Sequence, residues 1–218
     1  LMEEMQGEGV TPDDLSRLDL SQHSRHWDRS LAFLGIVSRY FGASGQDAPD
    51  AEGLRRRTVT MLTERWALSP PQHPILVAGS TGSRGTTALF MQAVARLPQG
   101  AVVLPGYDFD MPDAAWTALD DALAGEDHPQ YRFRKLARDI GLAMEAIRPW
   151  IETTPPDPAR NRLMSLALRP APVTDQWLAE GPHLGDLSTA TVAMTLSEAS
   201  SPRAETSAIA LALREAAE

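Results

Sequence analysis

The sequence predicts an α/β fold, with a helical N-terminal part followed by a parallel βαβ core, and three observations carry that expectation. Ile75-Leu76-Val77-Ala78 is an uninterrupted apolar run between Pro74 and Gly79, the pattern of a strand buried on both faces. A glycine-rich turn follows, and then a segment whose apolar residues Leu89, Phe90, Ala93, Val94 and Leu97 recur at three and four, as on one helix face, until Pro98 and Gly100 stop it. Ala101-Val102-Val103-Leu104 repeats the first pattern, so strand, helix and strand succeed one another as a crossover between parallel neighbours requires. Ligands of open parallel sheets collect at the carboxyl ends of strands, here Gly79 to Ser83 and Pro105 to Asp110.

The remaining elements follow in order. Residues 1–70 read as a helical subdomain. Thr11-Pro12-Asp13-Asp14 supplies a cap, a proline at the first helical position and acids in the first turn, with Leu15 and Leu18 behind them. Trp27, Leu31, Leu34, Val37 and Phe41 mark one buried stripe, and Leu54, Val59, Leu62 and Trp66 mark another, stopped by Ser69-Pro70-Pro71. Residues 71–148 form the α/β core. Residues 149–188 form a proline-rich hinge, with short helices around Arg162 to Leu168 and Thr174 to Ala179. Residues 189–218 read as a strand at Thr191 to Leu196 and a helix opened by Ser201-Pro202, the beginning of a further α/β unit.

Composition narrows the chemistry. The 218 residues are 43% hydrophobic, enough for a sizeable core. Without cysteine there is no disulfide, thiolate metal site or cysteine nucleophile, which fits a cytoplasmic protein. No apolar run approaches the roughly 18 residues that span a bilayer, so no membrane partner is expected. A net charge of −9 argues against a broad nucleic-acid-binding face but leaves room for local basic clusters. Leu1 to Met5 and the closing ALREAAE both read as helix interior, so the chain is expected to be a piece of a longer protein.

Four groups of residues invite a functional reading. Ser80, Thr81, Gly82 and Ser83 ring a helix N-terminus and form an anion-binding candidate, or an ordinary capped turn. They form no P-loop, because the single lysine of the chain is Lys135, and no nucleophile elbow, because Ala78 and Thr81 stand where a glycine two before Ser80 or Ser83 would be needed. Arg132, Arg134, Lys135 and Arg138, with Tyr131 and Phe133 interleaved, form the DNA-binding candidate, against the plainer reading of a solvated helix face. Arg55-Arg56-Arg57 reads as a solvated face that could touch a phosphate or an acidic partner. Asp108, Asp110 and Asp113 resemble a metal cluster less than they resemble a helix start at Pro112, and His23 with His26 lacks a third ligand. No catalytic residue and no metal site is assigned.

The wording of several stretches is also familiar. HW at His26-Trp27, RR within Arg55 to Arg57, AGSTGS at Ala78 to Ser83, ARLPQGAVVLPG at Ala95 to Gly106, HPQY at His128 to Tyr131, ALRPA at Ala167 to Ala171 and AIALALREA at Ala208 to Ala216 together resemble the AddB family. AddB is the second subunit of AddAB helicase–nucleases of double-strand-break repair, and the resemblance is to the alpha-proteobacterial form. It implies that the chain is an internal piece of the helicase-like half, a degenerate UvrD-like helicase fold. Active helicases of that kind end the strand at Ile75 to Ala78 in an Asp-Glu pair, where Gly79 and Ser80 stand here. They also carry a Gly-Asp-x-x-Gln segment after the next strand, of which Gly106 and Asp108 are echoes. The resemblance therefore implies a non-catalytic module that handles DNA and contacts an AddA-like motor subunit. It needs no cofactor of its own, magnesium and ATP being expected for the full complex only. A small phosphate- or nucleotide-binding domain using the GSTGS turn, and a purely structural scaffold, are the alternatives.

Overall fold

The computed structural model describes residues 5, 7–11, 14, 17, 29, 32, 33, 35, 36, 51–83, 85–121, 125–192 and 194–217. All five residues of the stripe from Trp27 to Phe41, Leu15, Leu18 and the His23 and His26 pair lie outside them. Near the start, the expected cap is formed reciprocally: Asp14 N–H donates to Thr11 Oγ1, and Thr11 N–H and Oγ1 both donate to Asp14 Oδ2.

Helix α1 (Ala51–Leu68) receives a last bond from Ser69 N–H to the Arg65 carbonyl, and Pro70 and Pro71 then offer it no further main-chain donor. Val59, Leu62 and Trp66 are half-buried as their spacing requires, and the Trp66 ring lies 6.1 Å from that of Phe90. Leu54 departs from the stripe and is mostly exposed. Strand β1 (Ile75–Ala78), helix α2 (Gly85–Ala95) and strand β2 (Gly100–Val103) form the expected unit, parallel and adjacent, in register from Ile75 opposite Gly100 to Ala78 opposite Val103. The fold is thus helix-rich α/β with a two-stranded parallel sheet among the described residues.

Two expectations need correction here. The second strand begins at Gly100, one residue before the apolar run. Gly100 packs so close to the end of α2 that a Cβ would sit 1.8 Å from the Val94 carbonyl oxygen. Neither strand is buried on both faces. β2 is half-buried throughout, and Leu76 in β1 is 55% exposed, because two strands and the helices around them leave part of the sheet uncovered.

Behind β2, the loop Leu104–Pro112 leads into helix α3 (Asp113–Ala118), and helix α4 (Tyr131–Ile140) closes the core. Met111, Ala115, Trp116, Leu119, Tyr131, Ala137 and Met144 pack together around the ring of Tyr107. That ring stacks on Trp116 at 5.0 Å and meets the edge of Phe109 at 4.7 Å. Burial first, and then the nearby Glu145 carboxylate, push the Tyr107 phenol up to about 12. Phe133, Met91, Leu119 and Val94 are fully buried, each contributing about 1.5–3 kcal/mol of transfer free energy. Gly141, with φ 72°, ends α4 in a left-handed cap whose N–H reaches the Ala137 and Arg138 carbonyls.

Past the prolines at 149–156, helix α5 (Pro158–Ala167) starts where Asp157 caps the Arg160 N–H and Pro158 takes the first helical position. A 3-10 turn (Ala171–Val173) and helix α6 (Gln176–Glu180) follow. The strand expected at Thr191 to Leu196 does not form. Its described residues are a turn and an irregular stretch, since no strand among the described residues pairs with its main chain. Helix α7 (Pro202–Ala217) begins as expected and buries none of its side chains among the described residues.

Candidate functional site

The two candidate sites meet in part, Gly82 of the one and Arg132 and Lys135 of the other, while Ser80, Thr81 and Ser83 stand outside the lining. A pocket of about 220 Å³ lies between the turn after β1 and the flank of α4, and Gly82, Gly85, Arg56, Arg132 and Lys135 line it together with Glu8 and Asp139. Gly79 and Gly82 take φ of 79° and 66°, and that left-handed backbone is what folds the turn back over the start of α2. Gly82 N–H donates to Ser80 Oγ at 3.2 Å, so this hydroxyl and this amide are engaged within the turn, while Thr81 and Ser83 are exposed.

The basic stretch divides in two. Residues three and four apart share a helix face, and those two apart do not. Arg132 and Lys135, with Asp139, line the pocket, whereas Arg134, two residues from Arg132, and Arg138 beside it clamp Asp120. Arg134 binds Asp120 through two bonds, Nε to Oδ1 at 2.8 Å and Nη2 to Oδ2 at 2.6 Å, and Arg138 Nη1 adds a contact at 3.5 Å. The Arg134 hydrogen bonds hold the Asp120 carboxyl below the usual carboxylate range and raise the guanidinium in return. This clamp ties α4 to the end of α3, so these two of the four DNA-binding candidates do structural work.

The pocket cations are also partnered. Lys135 Nζ meets Asp139 Oδ2 at 2.7 Å, and that oxygen accepts a further bond from Gln92 on α2 at 3.0 Å. Arg132 reaches Glu126 at 3.2 Å and lies over the Tyr131 ring, and Arg56 donates to the Gly7 carbonyl at 2.7 Å. Exposed pairs of this kind are worth about 0–1 kcal/mol, so an arriving phosphate can compete for the cations. Tyr131 and Phe133, which the sequence offers as stacking platforms, are instead buried at 5% and 2% exposure in the core and present no face to a base.

Asp113 stands in the first turn of α3, as a helix start at Pro112 requires, and Asp108 Oδ1 accepts from Asp110 N–H in the loop before it. Burial and the Asp108 charge raise the Asp110 carboxyl. Among the described residues no group of three acids or histidines stands together.

Sequence reasoning assigned no chemistry to three residues that lock this face. His128 Nδ1 accepts from Gln130 N–H at 3.1 Å, so its proton is on Nε2, which donates to the Leu168 carbonyl at 2.6 Å. Desolvation outweighs that bond and depresses the imidazole pKa. Gln130 bridges the loop beyond β2, accepting from Asp108 N–H and donating to the Gly106 carbonyl. Arg169 is buried and donates to the Ser165 carbonyl, to Ser165 Oγ and to Glu180. The HPQY and ALRPA stretches are thus joined through His128 and Leu168. Comparison with known protein families, characterised proteins and solved structures finds no match for the chain.

Proposed function

We propose that this chain is a non-catalytic, UvrD-like module of the B subunit of a cytoplasmic double-strand-break repair helicase–nuclease, and that it meets a DNA phosphate at the Gly82 turn. The observation that carries the reading is the convergence of that turn with Arg56, Arg132 and Lys135 on one pocket. The carboxyl end of β1 bears Gly79 and Ser80 rather than acids, which supports positioning over hydrolysis. Magnesium and ATP then belong to the full complex, with its AddA-like motor subunit.

Fluorescence anisotropy with a labelled single-stranded oligonucleotide over a salt series tests it. Three contacts predict a log–log salt slope of about 2, at about 0.7 per phosphate. Replacing Arg56, Arg132 and Lys135 by Ala should flatten the slope, while replacing Arg134 and Arg138 should leave it. The reverse pattern would refute the site. The pairing of all four α4 cations with carboxylates favours a second reading, a scaffold that contacts only the motor subunit. Absence of any salt-dependent binding, with motor-subunit capture retained, would select it.

A further inference from the structure

Two features of the chain complement one another, an unpaired strand edge and a segment that joins no ladder, its Met194 N–H closing a turn on the Thr191 carbonyl. In β2 the odd-numbered residues turn their main chain towards β1, as the Ile75 N–H bond to the Gln99 carbonyl and the Gly79 N–H bond to the Val103 carbonyl establish. The even-numbered ones, Val102 and Leu104, turn theirs outward, and among the described residues nothing pairs with them. This free edge borders an apolar groove of about 510 Å³, walled by Phe109, Phe133, Ile147 and Trp150, whose single charged lining residue is Arg148. The Thr191 to Leu196 stretch is the complement, with the alternation of a strand and no strand to join. From Met194 to Ala199 the chain has no regular structure, and Met194 and Leu196 are 54% and 87% exposed. Glu198 continues the same alternate positions.

We propose that residues 194–198 of a second copy of this chain add to the free edge of β2 as a third strand, giving a reciprocal two-fold dimer. The two pieces match in length, five residues against Gly100 to Leu104. Main-chain pairing satisfies the outward groups, Met194 and Leu196 enter the apolar walls, and Glu198 supplies the carboxylate that suits Arg148. A second copy is required because none of these residues lines the groove of its own chain. There Arg160 holds the segment's approach, binding the Ala190 and Val192 carbonyls. Reciprocal exchange fills both edges at once.

Sedimentation of the 218-residue chain over a concentration series should approach twice the 23.7 kDa mass. Leu196→Lys, at an exposed site that leaves the monomer fold alone, should stay monomeric. A labelled peptide of residues 190–200 should bind that variant. Adding Val102→Pro, which removes one outward edge N–H, should weaken the peptide by about tenfold or more, the equivalent of one desolvated main-chain hydrogen bond. A chain monomeric at every concentration that also ignores the peptide overturns the proposal. So does a dimer that survives Leu196→Lys, and so does a monomer whose residues 194–198 are protected from hydrogen exchange, which would place the segment on its own chain. DNA binding enters none of these readouts, so the dimer stands or falls apart from the pocket.

Discussion

Gly100→Ala should be among the most damaging single-methyl substitutions in this chain. The added Cβ would lie 1.8 Å from the Val94 carbonyl oxygen, 2.9 Å from its carbon and 3.0 Å from Leu97 Cβ. Ordinary contact begins near 3.4 Å, so β2 and the end of α2 would have to part by about 1.6 Å, the difference of the two distances. Val94 cannot simply swing away, because its oxygen accepts from Leu97 N–H at 3.0 Å and Gly100 N–H in turn donates to the Leu97 carbonyl at 3.1 Å. Overpacking of about 1–3 kcal/mol and two strained hydrogen bonds of about 1 kcal/mol each give a loss of about 4 kcal/mol. Gly79→Ala is the control. Its φ of 79° makes a side chain unwelcome, yet nothing lies within 4 Å, so the loss is about 1–2 kcal/mol. Urea unfolding followed by tryptophan fluorescence measures both. If Gly100→Ala falls within about 0.5 kcal/mol of wild type, as an exposed turn residue would, the close approach of strand and helix is wrong.

The His128 latch should make stability pH-dependent. Its folded-state pKa lies below the ordinary 6.5, so its contribution is complete above that value and is lost as pH falls from 6.5 towards the folded value. His128→Ala should lose about 2 kcal/mol near neutrality, for two hydrogen bonds, and flatten the decline as pH falls below 6.5. Identical pH slopes in the two proteins would count against the latch. Lacking a P-loop lysine and an acidic pair at Gly79 and Ser80, the chain should release no phosphate from Mg-ATP above buffer, with or without DNA. Turnover abolished by Ser80→Ala would overturn that.

What the sequence made legible was local. An apolar tetrad between a proline and a glycine, a three-four periodicity and a second tetrad are properties of neighbouring residues, and the βαβ unit follows from them. The one-residue shift of β2 was hidden, because the contact that makes Gly100 a strand residue is with Val94 in space. The half-exposed sheet was hidden for a related reason, since apolarity marks what can be buried and the number of layers decides what is. On α4, helical spacing separates Arg132 from Arg134 but puts Lys135 and Arg138 within reach of one face, so the division of the four cations was not legible and follows from their partners in space. That Arg134 belongs to Asp120, fourteen residues earlier, carries no local signal. His128 and Arg169 were quoted within familiar stretches without a role, because their partners are main-chain carbonyls, a hydroxyl and one distant acid, which sequence does not display.

The pairing of Ile75 with Gly100 also fixes an order of events. The two residues are 25 positions apart, and closing a flexible loop of that length costs about 3 kcal/mol before the first sheet hydrogen bond is made. Helix α2 occupies 11 of the intervening positions and closes its own bonds over four, so forming it first shortens the flexible span. The ladder then closes late, onto a helix already in place. If so, Gly100→Ala should speed unfolding more than it slows refolding, and a urea chevron reads the two apart.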